Sequence, residues 1–400
     1  MRLTIERLGH RGDGVAAGPV YVPRTLPGEV VEGDVTGDRL PAPRIVTPTA
    51  DRVAPPCPHF KRCGGCALQH ASDDFVARWK ADRVRRAFAD RGIAAEIAGV
   101  ETSPPSSRRR AALKGRKTKK GAVVGLHAAA THDLIAIPDC RLLHPDLMAA
   151  LPALERVTRL AAPRGGEVGL HITRSAAGID LLVSEAKPLD PASLPALAAE
   201  GFARVTWNGE AALLDSRPVQ RMGRADILPP PGAFMQATAE GEAALAARIR
   251  ETLGPARRVA DLFAGCGTFT FPAAETASVT AWEGARDLTE ALEAAARHAT
   301  GLKPIRAITR DLFRDPVTAD ELAPFDAAII DPPRAGAAAQ VTEMARADLD
   351  RIAFVSCDPD TFARDAGMLV QAGWRMEPIT VVDQFRWSPH IELVTAFART

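Results

Sequence analysis

The thiol of Cys357 is the side chain of this protein best placed to act as a nucleophile. A strand-like apolar run at 351–355 precedes it, and Asp358-Pro359 begins a turn into a predicted helix. The first N–H groups and the dipole of a helix stabilise a thiolate, so this position favours a reactive cysteine over a buried structural one. We therefore predict that Cys357 bonds covalently and transiently to a substrate.

A glycine-rich turn earlier in the chain has the pattern of a cofactor site. The run Asp261-Leu262-Phe263-Ala264-Gly265-Cys266-Gly267-Thr268 joins a predicted strand to a predicted helix, where glycines let a ligand approach the backbone closely. Glu283 ends the next predicted strand, where a carboxylate can accept from both hydroxyls of a ribose. Asp311 follows the third strand, where it could contact an adenine amino group. A dinucleotide site would need a third glycine that is missing here, so the pattern favours a methyl donor.

A further motif, Asp331-Pro332-Pro333-Arg334, ends the fourth predicted strand of this region. Open α/β sheets bind ligands at the carboxyl edge of their strands, so the motif suits an acidic side chain held toward a substrate base. A rigid turn in which Asp331 only caps the next segment explains the same residues equally well. The spacing by itself leaves both interpretations open.

Together these residues suit methylation at C5 of a pyrimidine. Addition of a thiolate to C6 of uracil gives C5 enolate character, so that C5 can take a methyl group. A base must then remove the C5 proton, and Glu392, at the start of the last predicted strand, is the carboxylate best placed for that role. Methylation of cytosine is less favoured, because such enzymes generally use a second catalytic cysteine and Cys266 has only a packing role in our interpretation.

The elements that must position these residues follow an α/β pattern. After about residue 231 predicted strands alternate with predicted helices, which indicates parallel βαβ units in a doubly wound sheet. The last two strands, 375–382 and 391–398, are predicted to form an antiparallel hairpin that closes one sheet edge. This arrangement is typical of the Rossmann-like S-adenosylmethionine-dependent methyltransferase fold.

The first half of the chain has a different character. Short apolar runs separated by Gly and Pro turns fill residues 1–50 and predict a small β-barrel. Residues 51–230 contain a predicted helix from Ser72, a good N-cap, to about Arg91, followed by mixed strands and helices. We therefore predict three domains, at 1–50, 51–230 and 231–400.

Four cysteines in the first half have the number and spacing of a metal site. They are Cys57, Cys63, Cys66 and Cys140. Four thiolates are usual for a tetrahedral zinc ion or a cubane iron-sulfur cluster, and the spacing alone favours zinc only slightly. His59 and His70 lie nearby, but four cysteines already complete a closed site.

Charge and hydropathy limit the class of protein. The chain has 46% hydrophobic residues, no run of eighteen apolar residues and no amino-terminal signal segment, so we expect a cytoplasmic location. A formal net charge of +1 argues against a uniformly basic surface. Residues 108–120, however, hold eight Arg and Lys residues and no acidic one, which predicts contact with RNA phosphates. No feature indicates a membrane or an obligate protein partner.

The motifs, in this order, resemble the bacterial RNA uracil-5-methyltransferase family, especially the branch that modifies 23S ribosomal RNA and carries a 4Fe-4S cluster and an amino-terminal TRAM domain. Residues 5–29 are similar to the TRAM pattern, an OB-type barrel that docks RNA. The resemblance implies a catalytic Cys357 and Glu392, and it makes the four cysteines 4Fe-4S ligands rather than zinc ligands. It also implies cofactor binding by a set of six residues: Gln236, Phe263, Thr268, Glu283, Asp311 and Asp331.

Several positions depart from the family pattern. Thr238, Thr268 and Asp358 stand where asparagine is expected, and Arg386-Trp387-Ser388 replaces a stretch with proline and threonine. These changes keep mostly polar side chains, so the chemistry is expected to survive.

The resemblance implies S-adenosylmethionine-dependent C5-methylation of a uridine in structured RNA, with ribosomal RNA as the first choice. Two alternatives stay open. One is a transfer-RNA methyltransferase with the same mechanism, and the other is a non-catalytic iron-sulfur protein that binds RNA.

Overall fold

Short strands build a five-stranded sheet at the amino terminus of the computed structural model, which describes residues 1–129 and 131–399. They are β1 (Arg2–Leu8), β2 (Gly14–Ala16), β3 (Val20–Val22), β4 (Val30–Glu32) and β5 (Arg44–Thr47). The order is β3-β2-β1-β4-β5, with all neighbours antiparallel. Leu3 and Ile5 alternate with exposed residues on β1 and pack against Val22 and Val31. The five strands agree with the expected small β-domain, while a closed OB barrel stays a prediction.

A long helix and one strand follow this sheet. They are α1 (Asp73–Ala89) and β6 (Ile97–Thr102). As predicted, Ser72 caps α1: its hydroxyl accepts a hydrogen bond from the N–H of Phe75 at 3.2 Å. Val84 and Phe88 of α1 lie in the same hydrophobic core as Phe362, near the carboxyl terminus. Residues 73–102, which the sequence pattern assigned to the central domain, therefore pack on the carboxyl-terminal sheet.

The middle of the chain forms a seven-stranded sheet with helices on one face. The elements are β7 (Arg110–Thr118), β8 (Gly121–His127), β9 (Leu134–Ala136), α2 (Pro145–Ala149), α3 (Leu151–Ala161), β10 (Glu167–Ser175), β11 (Gly178–Ser184), a 3₁₀ turn (Pro191–Ser193), α4 (Leu194–Ala198), β12 (Arg204–Trp207) and β13 (Glu210–Leu214). The order is β13-β12-β11-β10-β7-β8-β9. Leu154 and Val157 of α3 pack on Leu113 and Leu170 of the sheet. A hairpin of β14 (Gln220–Met222) and β15 (Ala225–Ile227) leads out of this unit.

The remaining elements form the predicted α/β unit. They are α5 (Ala239–Leu253), β16 (Arg258–Leu262), α6 (Thr270–Ala273), β17 (Ser278–Glu283), α7 (Arg286–His298), β18 (Ile305–Thr309), α8 (Ala319–Leu322), β19 (Ala327–Ile330), α9 (Ala338–Arg346), β20 (Arg351–Ser356), α10 (Pro359–Gln371), β21 (Trp374–Met376), β22 (Ile379–Asp383) and β23 (Leu393–Arg399). Strands β16 to β20 are parallel in the order β18-β17-β16-β19-β20. The predicted parallel α/β sheet is confirmed.

The expected hairpin at the sheet edge is confirmed only in part. Strand β23 runs antiparallel to both β20 and β22, as predicted for the last two strands. The edge, however, is not β22, because β6 pairs with it in parallel and extends the sheet by one strand. The pattern of 375–398 could not show this, since β6 lies almost three hundred residues earlier in the chain.

Within the described ranges, none of the helices is both long and apolar enough to cross a membrane.

Candidate active site

The carboxyl ends of the parallel strands meet at a cavity of about 660 Å³, a size typical of small-molecule sites. All eight residues predicted to act on substrate or cofactor line it: Gln236, Phe263, Thr268, Glu283, Asp311, Asp331, Cys357 and Glu392. For the six residues from Phe263 to Cys357 the convergence follows from the topology, because parallel strands present their carboxyl ends at one edge of the sheet. Arg108, Phe313 and His390, which were not predicted for this site, are among the further residues that line it.

The glycine-rich turn is built around the carboxylate of Glu283. Its two oxygens accept hydrogen bonds from the N–H groups of Gly265 and Ala285, at 2.9 and 2.8 Å. Phe263 at the start of the turn has φ 62°, a left-handed conformation that bulky residues rarely adopt. Its ring packs against that of Phe313, with centroids 5.3 Å apart. The strained turn thus places one carboxylate and two aromatic rings along the cavity.

Asp311, at the other side of this wall, accepts a hydrogen bond from the N–H of Phe313 at 3.0 Å. The aromatic side chain of Phe313 is half exposed at the cavity. Its only signal in the sequence is its position two residues after a predicted cofactor residue.

Beneath the turn lies a fully buried carboxyl group. The pKa of Asp261 is raised to about 7, mainly by burial and also by the nearby charges of Asp331 and Glu283. The hydroxyl of Thr270, at the start of α6, donates to Asp261 Oδ2 at 2.5 Å. Asp261 therefore joins the last part of β16 to the helix that follows the turn.

Cys357 does not have the electrostatic environment that the sequence predicts. Burial raises the pKa of its thiol to about 12, and the carboxylates of Glu392 and Asp331 act in the same direction. The free N–H groups of α10 do not reach the thiol, because Asp358 accepts from the N–H groups of Asp360 and Thr361 at 3.0 and 3.2 Å. Asp358 thus occupies the helix terminus, and burial together with the nearby carboxylates opposes the helix-stabilised thiolate expected from the sequence. Loss of the thiol proton requires a base in the cavity.

Glu392 and Asp331 are two such carboxyl groups. Burial and the mutual repulsion of the two charges raise the pKa of Glu392, and burial raises the pKa of Asp331. Arg334 and the hydrogen bond from Gln384 act on Glu392 in the opposite direction. A carboxylate with a raised pKa is a stronger base than an ordinary one, as proton abstraction requires.

Gln384, which does not line the cavity, makes hydrogen bonds to two of the residues that do. Gln236 Oε1 accepts from Gln384 Nε2 at 2.5 Å, and the same nitrogen donates to Glu392 Oε2 at 3.0 Å. Thr268 lies in the wall near the glycine-rich turn. Gln384 is almost completely buried and was not predicted. Its signal in the sequence is a polar residue between β22 and Phe385, in the motif that also contains Glu392.

Thr238, one of the departures from the family pattern, has a structural position. Its hydroxyl accepts from the N–H of Gly241 at 3.0 Å and so caps α5. It also lies 2.7 Å from the hydroxyl of Ser103. The side chain thus joins α5 to the loop after β6.

A second cavity, of about 550 Å³, is lined by Cys57, Cys63, Cys66 and Cys140. Cys63 Sγ accepts from the N–H of Gly65 at 3.4 Å, and Cys140 Sγ from the N–H of Leu142 at 3.5 Å. Burial raises the pKa of Cys63, Cys66 and Cys140. Among residues 1–129 and 131–399, no three ligand side chains are grouped closely enough to hold a single metal ion.

The two cavities share part of their walls, because Arg108 and His390 line both of them. His390 Nδ1 lies 2.7 Å from a guanidinium nitrogen of Arg334, and its ring lies 5.7 Å from that of Phe385. The backbone carbonyl of Trp387 accepts from the N–H groups of Ala67 and Leu68, just after the third cysteine. The cysteine loop and the loop before Glu392 are therefore in direct contact.

The basic run at 108–120 carries fewer free charges than its sequence suggests. Arg109 pairs with Glu242, Lys114 with Glu185 and Arg116 with Glu167. Arg110 lies over the ring of Phe234, at 4.3 Å from its centroid. Lys117, Lys119 and Lys120 are exposed at the turn between β7 and β8. Within the described residues, these three lysines are therefore the exposed, unpaired part of the run to which the predicted phosphate contact applies.

The family of the chain follows from comparison with known proteins. The model of the tRNA (uracil-5-)-methyltransferase family matches residues 254–399. A protein of Chromohalobacter salexigens named 23S rRNA (uracil(1939)-C(5))-methyltransferase RlmD is 33% identical over 99% of this chain and 89% of its own length. The chain belongs to the RNA uracil-5-methyltransferase family. The predicted enzyme class, an RNA (uracil-5-)-methyltransferase, is confirmed by this membership.

Two further proteins are similar to the chain over 99% or more of its length. A protein of Caulobacter vibrioides named as an RNA methyltransferase is 44% identical over 99% of both chains. The crystal structure of the Pyrococcus abyssi tRNA (uracil-54, C5)-methyltransferase, in complex with S-adenosyl-L-homocysteine, covers 100% of both chains with a TM-score of 0.75 and 21% identity. The fold is therefore that of S-adenosylmethionine-dependent methyltransferases, which supports the predicted methyl donor.

Proposed function

We propose that this enzyme methylates C5 of a uridine in structured RNA, with 23S ribosomal RNA as its substrate. The observation that carries the proposal is the presence of Cys357, Glu392 and six predicted cofactor residues in the wall of one cavity. A non-catalytic RNA-binding protein would not need a thiol and a buried carboxyl group of raised pKa at the same ligand site.

The cavity fits a methyl donor of the size and polarity of S-adenosylmethionine. Its volume is adequate, and Glu283 and Asp311 offer carboxylate oxygens to hydroxyl and amino groups. Gln236, Phe263, Thr268 and Asp331 would hold the rest of the molecule. When bound, S-adenosylmethionine supplies the electrophilic methyl group that C5 takes up.

The residues of the chain perform the other steps. Cys357 Sγ forms a bond to C6 of the uracil, its proton passing to Asp331, while the C5–C6 π electrons shift toward C5 and the C4 carbonyl oxygen. After C5 has gained the methyl group, Glu392 removes the C5 proton. The electrons of that C–H bond re-form the C5–C6 double bond, the C6–S bond breaks, and Cys357 leaves as a thiolate. The uridine must be extruded from its stack for Sγ to reach C6.

The four cysteines are proposed as ligands of a 4Fe-4S cluster. The donor set fits, because four thiols line one cavity and N–H groups of Gly65 and Leu142 point at two of the sulfurs. Cys57, Cys63, Cys66 and Cys140 would then join the segment 57–66 to the central sheet. We assign the cluster a structural role, since no step above moves an electron.

The amino-terminal residues are proposed to dock RNA. The five-stranded sheet of residues 2–47 agrees with a TRAM-type OB barrel. We keep the domain limits 1–50, 51–230 and 231–400 as a proposal, with one change: residues 73–102 pack with the last domain. The exposed Lys117, Lys119 and Lys120 would add phosphate contacts.

The choice of ribosomal RNA is supported by the 33% identical relative, whose name specifies 23S rRNA. Transfer RNA is the alternative, supported by the fold neighbour, whose title names tRNA. The test is mass-spectrometric mapping of 5-methyluridine in ribosomal and transfer RNA from a deletion strain. Loss of one 5-methyluridine in 23S rRNA, restored by the wild-type gene and not by Cys357→Ala, is expected. A loss confined to transfer RNA would make transfer RNA the substrate. Full restoration by Cys357→Ala would overturn the proposed catalytic role of Cys357.

A further inference from the structure

The side-chain amide of Gln384 lies at the centre of a buried polar network behind the catalytic cavity. Its oxygen, Oε1, lies 2.7 Å from the backbone nitrogen of Ala237. Its nitrogen, Nε2, lies 2.5 Å from Gln236 Oε1 and 3.0 Å from Glu392 Oε2. Gln384 itself is 1% exposed and does not line the cavity, whereas Gln236 and Glu392 both do.

Hydrogen-bond chemistry allows one orientation of this network. A backbone N–H can only donate, so the atom of Gln384 that faces Ala237 must be the carbonyl oxygen. The amide nitrogen of Gln384 then points at Gln236 and Glu392 and has two hydrogens to give. The atom of Gln236 that meets it must be an acceptor, which is its oxygen. The NH₂ group of Gln236 is consequently not used by Gln384, and Gln236 itself lines the cavity.

We propose that Gln384 is a positioning residue that fixes the amide orientation of Gln236 and keeps Glu392 a hydrogen-bond acceptor, so that the cavity offers an NH₂ donor to a ligand oxygen. That oxygen is either a carbonyl of the target pyrimidine or the carboxylate of the methyl donor. If Gln236 were flipped, its own oxygen would face the ligand oxygen, and the two acceptors would repel each other. The proposal depends on the function proposed above.

The packing around Gln384 holds its side chain in one place. Gly241 lies in the first turn of α5 and packs against Gln384. A Cβ atom at this position would lie 2.7 Å from the Cβ atom of Gln384, so a larger residue would displace the Gln384 side chain. The hydrogen bond from Gln384 is also one of the few influences that lower the pKa of Glu392 against burial and Asp331. Arg334 acts in the same direction, and the charge of Glu392 in turn raises the pKa of the Cys357 thiol.

Two substitutions distinguish the hydrogen bonds that the Gln384 amide donates from the space that its side chain fills. Gln384→Glu keeps the side-chain shape and the acceptor for Ala237 but replaces the donating NH₂ by an oxygen. Gln384→Met removes the donor without adding a charge. We expect kcat/KM on uridine RNA to fall by about a hundredfold in Gln384→Glu and about tenfold or more in Gln384→Met. The acidic limb of the kcat–pH profile should move upward by about one pH unit in Gln384→Met, because Glu392 loses a donor.

A matched control comes from Gln340, which is also fully buried in the same unit. Its amide bonds the N–H and C=O of Val317 at 2.8 and 2.9 Å, and it does not line the cavity. Gln340→Met should lower thermal stability by a similar amount to Gln384→Met and leave the pH profile unchanged. A second variant, Gly241→Ala, should displace Gln384 without removing a polar group and should raise KM or lower kcat in the same sense.

The measurement is steady-state kinetics on wild type and variants from pH 5.5 to 9, with calorimetric titration of S-adenosylhomocysteine in the absence of RNA. Weaker S-adenosylhomocysteine binding in Gln384→Glu would support the proposal and identify the cofactor carboxylate as the acceptor. Unchanged binding with a raised KM for RNA would support it and identify the pyrimidine. Folded Gln384→Glu and Gln384→Met proteins with wild-type kinetics, pH profile and affinity would overturn it. A wild-type enzyme that is inactive on every RNA would instead overturn the proposed function, and the affinity comparison would still test the amide orientation toward the cofactor.

Discussion

Lys80 Nζ lies 2.5 Å from Asp383 Oδ1, and the two side chains are 0% and 1% exposed. The pair joins α1, from the first quarter of the chain, to the end of β22, one residue before Gln384. Asp383 Oδ1 also accepts from the N–H of Phe385 at 3.1 Å. A buried ion pair therefore fixes the start of the loop that leads to Glu392.

Lys80→Met should destabilise the protein by about 3 kcal/mol or more, because it leaves the Asp383 carboxylate buried without its partner. Urea unfolding measures the change. Adding Asp383→Asn to Lys80→Met should recover part of the loss, since the isolated charge is then gone. Arg221→Met breaks an exposed pair with Asp226 and should change stability by less than about 0.5 kcal/mol. Equal effects of the buried and exposed substitutions would contradict the assigned role.

Glu392→Gln should stop the reaction after methyl transfer. The C5 proton then has no base to accept it, so the bond between Cys357 and C6 cannot be eliminated. A methylated protein–RNA adduct should accumulate and migrate slowly on a denaturing gel. Cys357→Ala combined with Glu392→Gln should give no adduct. Rapid turnover by Glu392→Gln alone would exclude the role of Glu392 as the base.

Asp261→Asn should stabilise the protein at high pH. The folded-state pKa of about 7 lies above the ordinary value of 3.8, so the folded protein binds a proton that the unfolded chain releases. Stability from this group is therefore full at low pH and is lost as the pH rises through about 7. Asparagine keeps an acceptor for Thr270 and carries no charge. The melting temperature should rise by about 2 to 5 °C at pH 8.5, by clearly less at pH 5, and change least below about pH 4, where the carboxyl group is protonated in both states. A gain that is largest at low pH would reverse the assigned sign.

Removal of one cysteine from the second cavity should abolish cluster binding. Protein purified without oxygen should contain about four iron and four sulfide per chain and absorb broadly in the visible range. Cys140→Ala should lose most of the iron, while Cys266→Ala, outside that cavity, should keep it. Metal analysis that finds one zinc and no iron in wild type would replace the cluster by a zinc site.

Neutralising the exposed turn between β7 and β8 should weaken RNA binding without changing sequence preference. The triple substitution of Lys117, Lys119 and Lys120 by Gln removes up to three phosphate contacts, which should reduce the slope of log K against log salt by about two to three units. Filter binding from 50 to 300 mM salt measures the slope. Arg85→Gln, which breaks a helix-surface pair with Asp82, is the control and should leave the slope unchanged. An unaltered slope in the triple variant would place the RNA elsewhere.

Much of the active site follows from local sequence. Each predicted cofactor residue from Phe263 to Asp331 lies at the end of a parallel strand or in the turn that follows it, and in a doubly wound sheet these turns share one edge. Type and order of the elements were therefore sufficient to bring Glu283, Asp331 and Cys357 to one cavity. The N-cap at Ser72 could also be predicted from the sequence, because capping involves only neighbours in the chain.

Contacts between residues far apart in the chain could not be predicted from the sequence. The sheet edge at β6, the Lys80–Asp383 pair and the link from Gln384 to Gln236 join segments separated by more than a hundred residues. Arg109 and Arg116 are paired with distant carboxylates, so fewer charges of the basic run are free than the sequence indicates. The thiol of Cys357 has a raised pKa because burial and surrounding carboxylates outweigh its position before a helix. Residue type and spacing determine which groups the protein has, whereas burial and distant partners determine their charge and orientation.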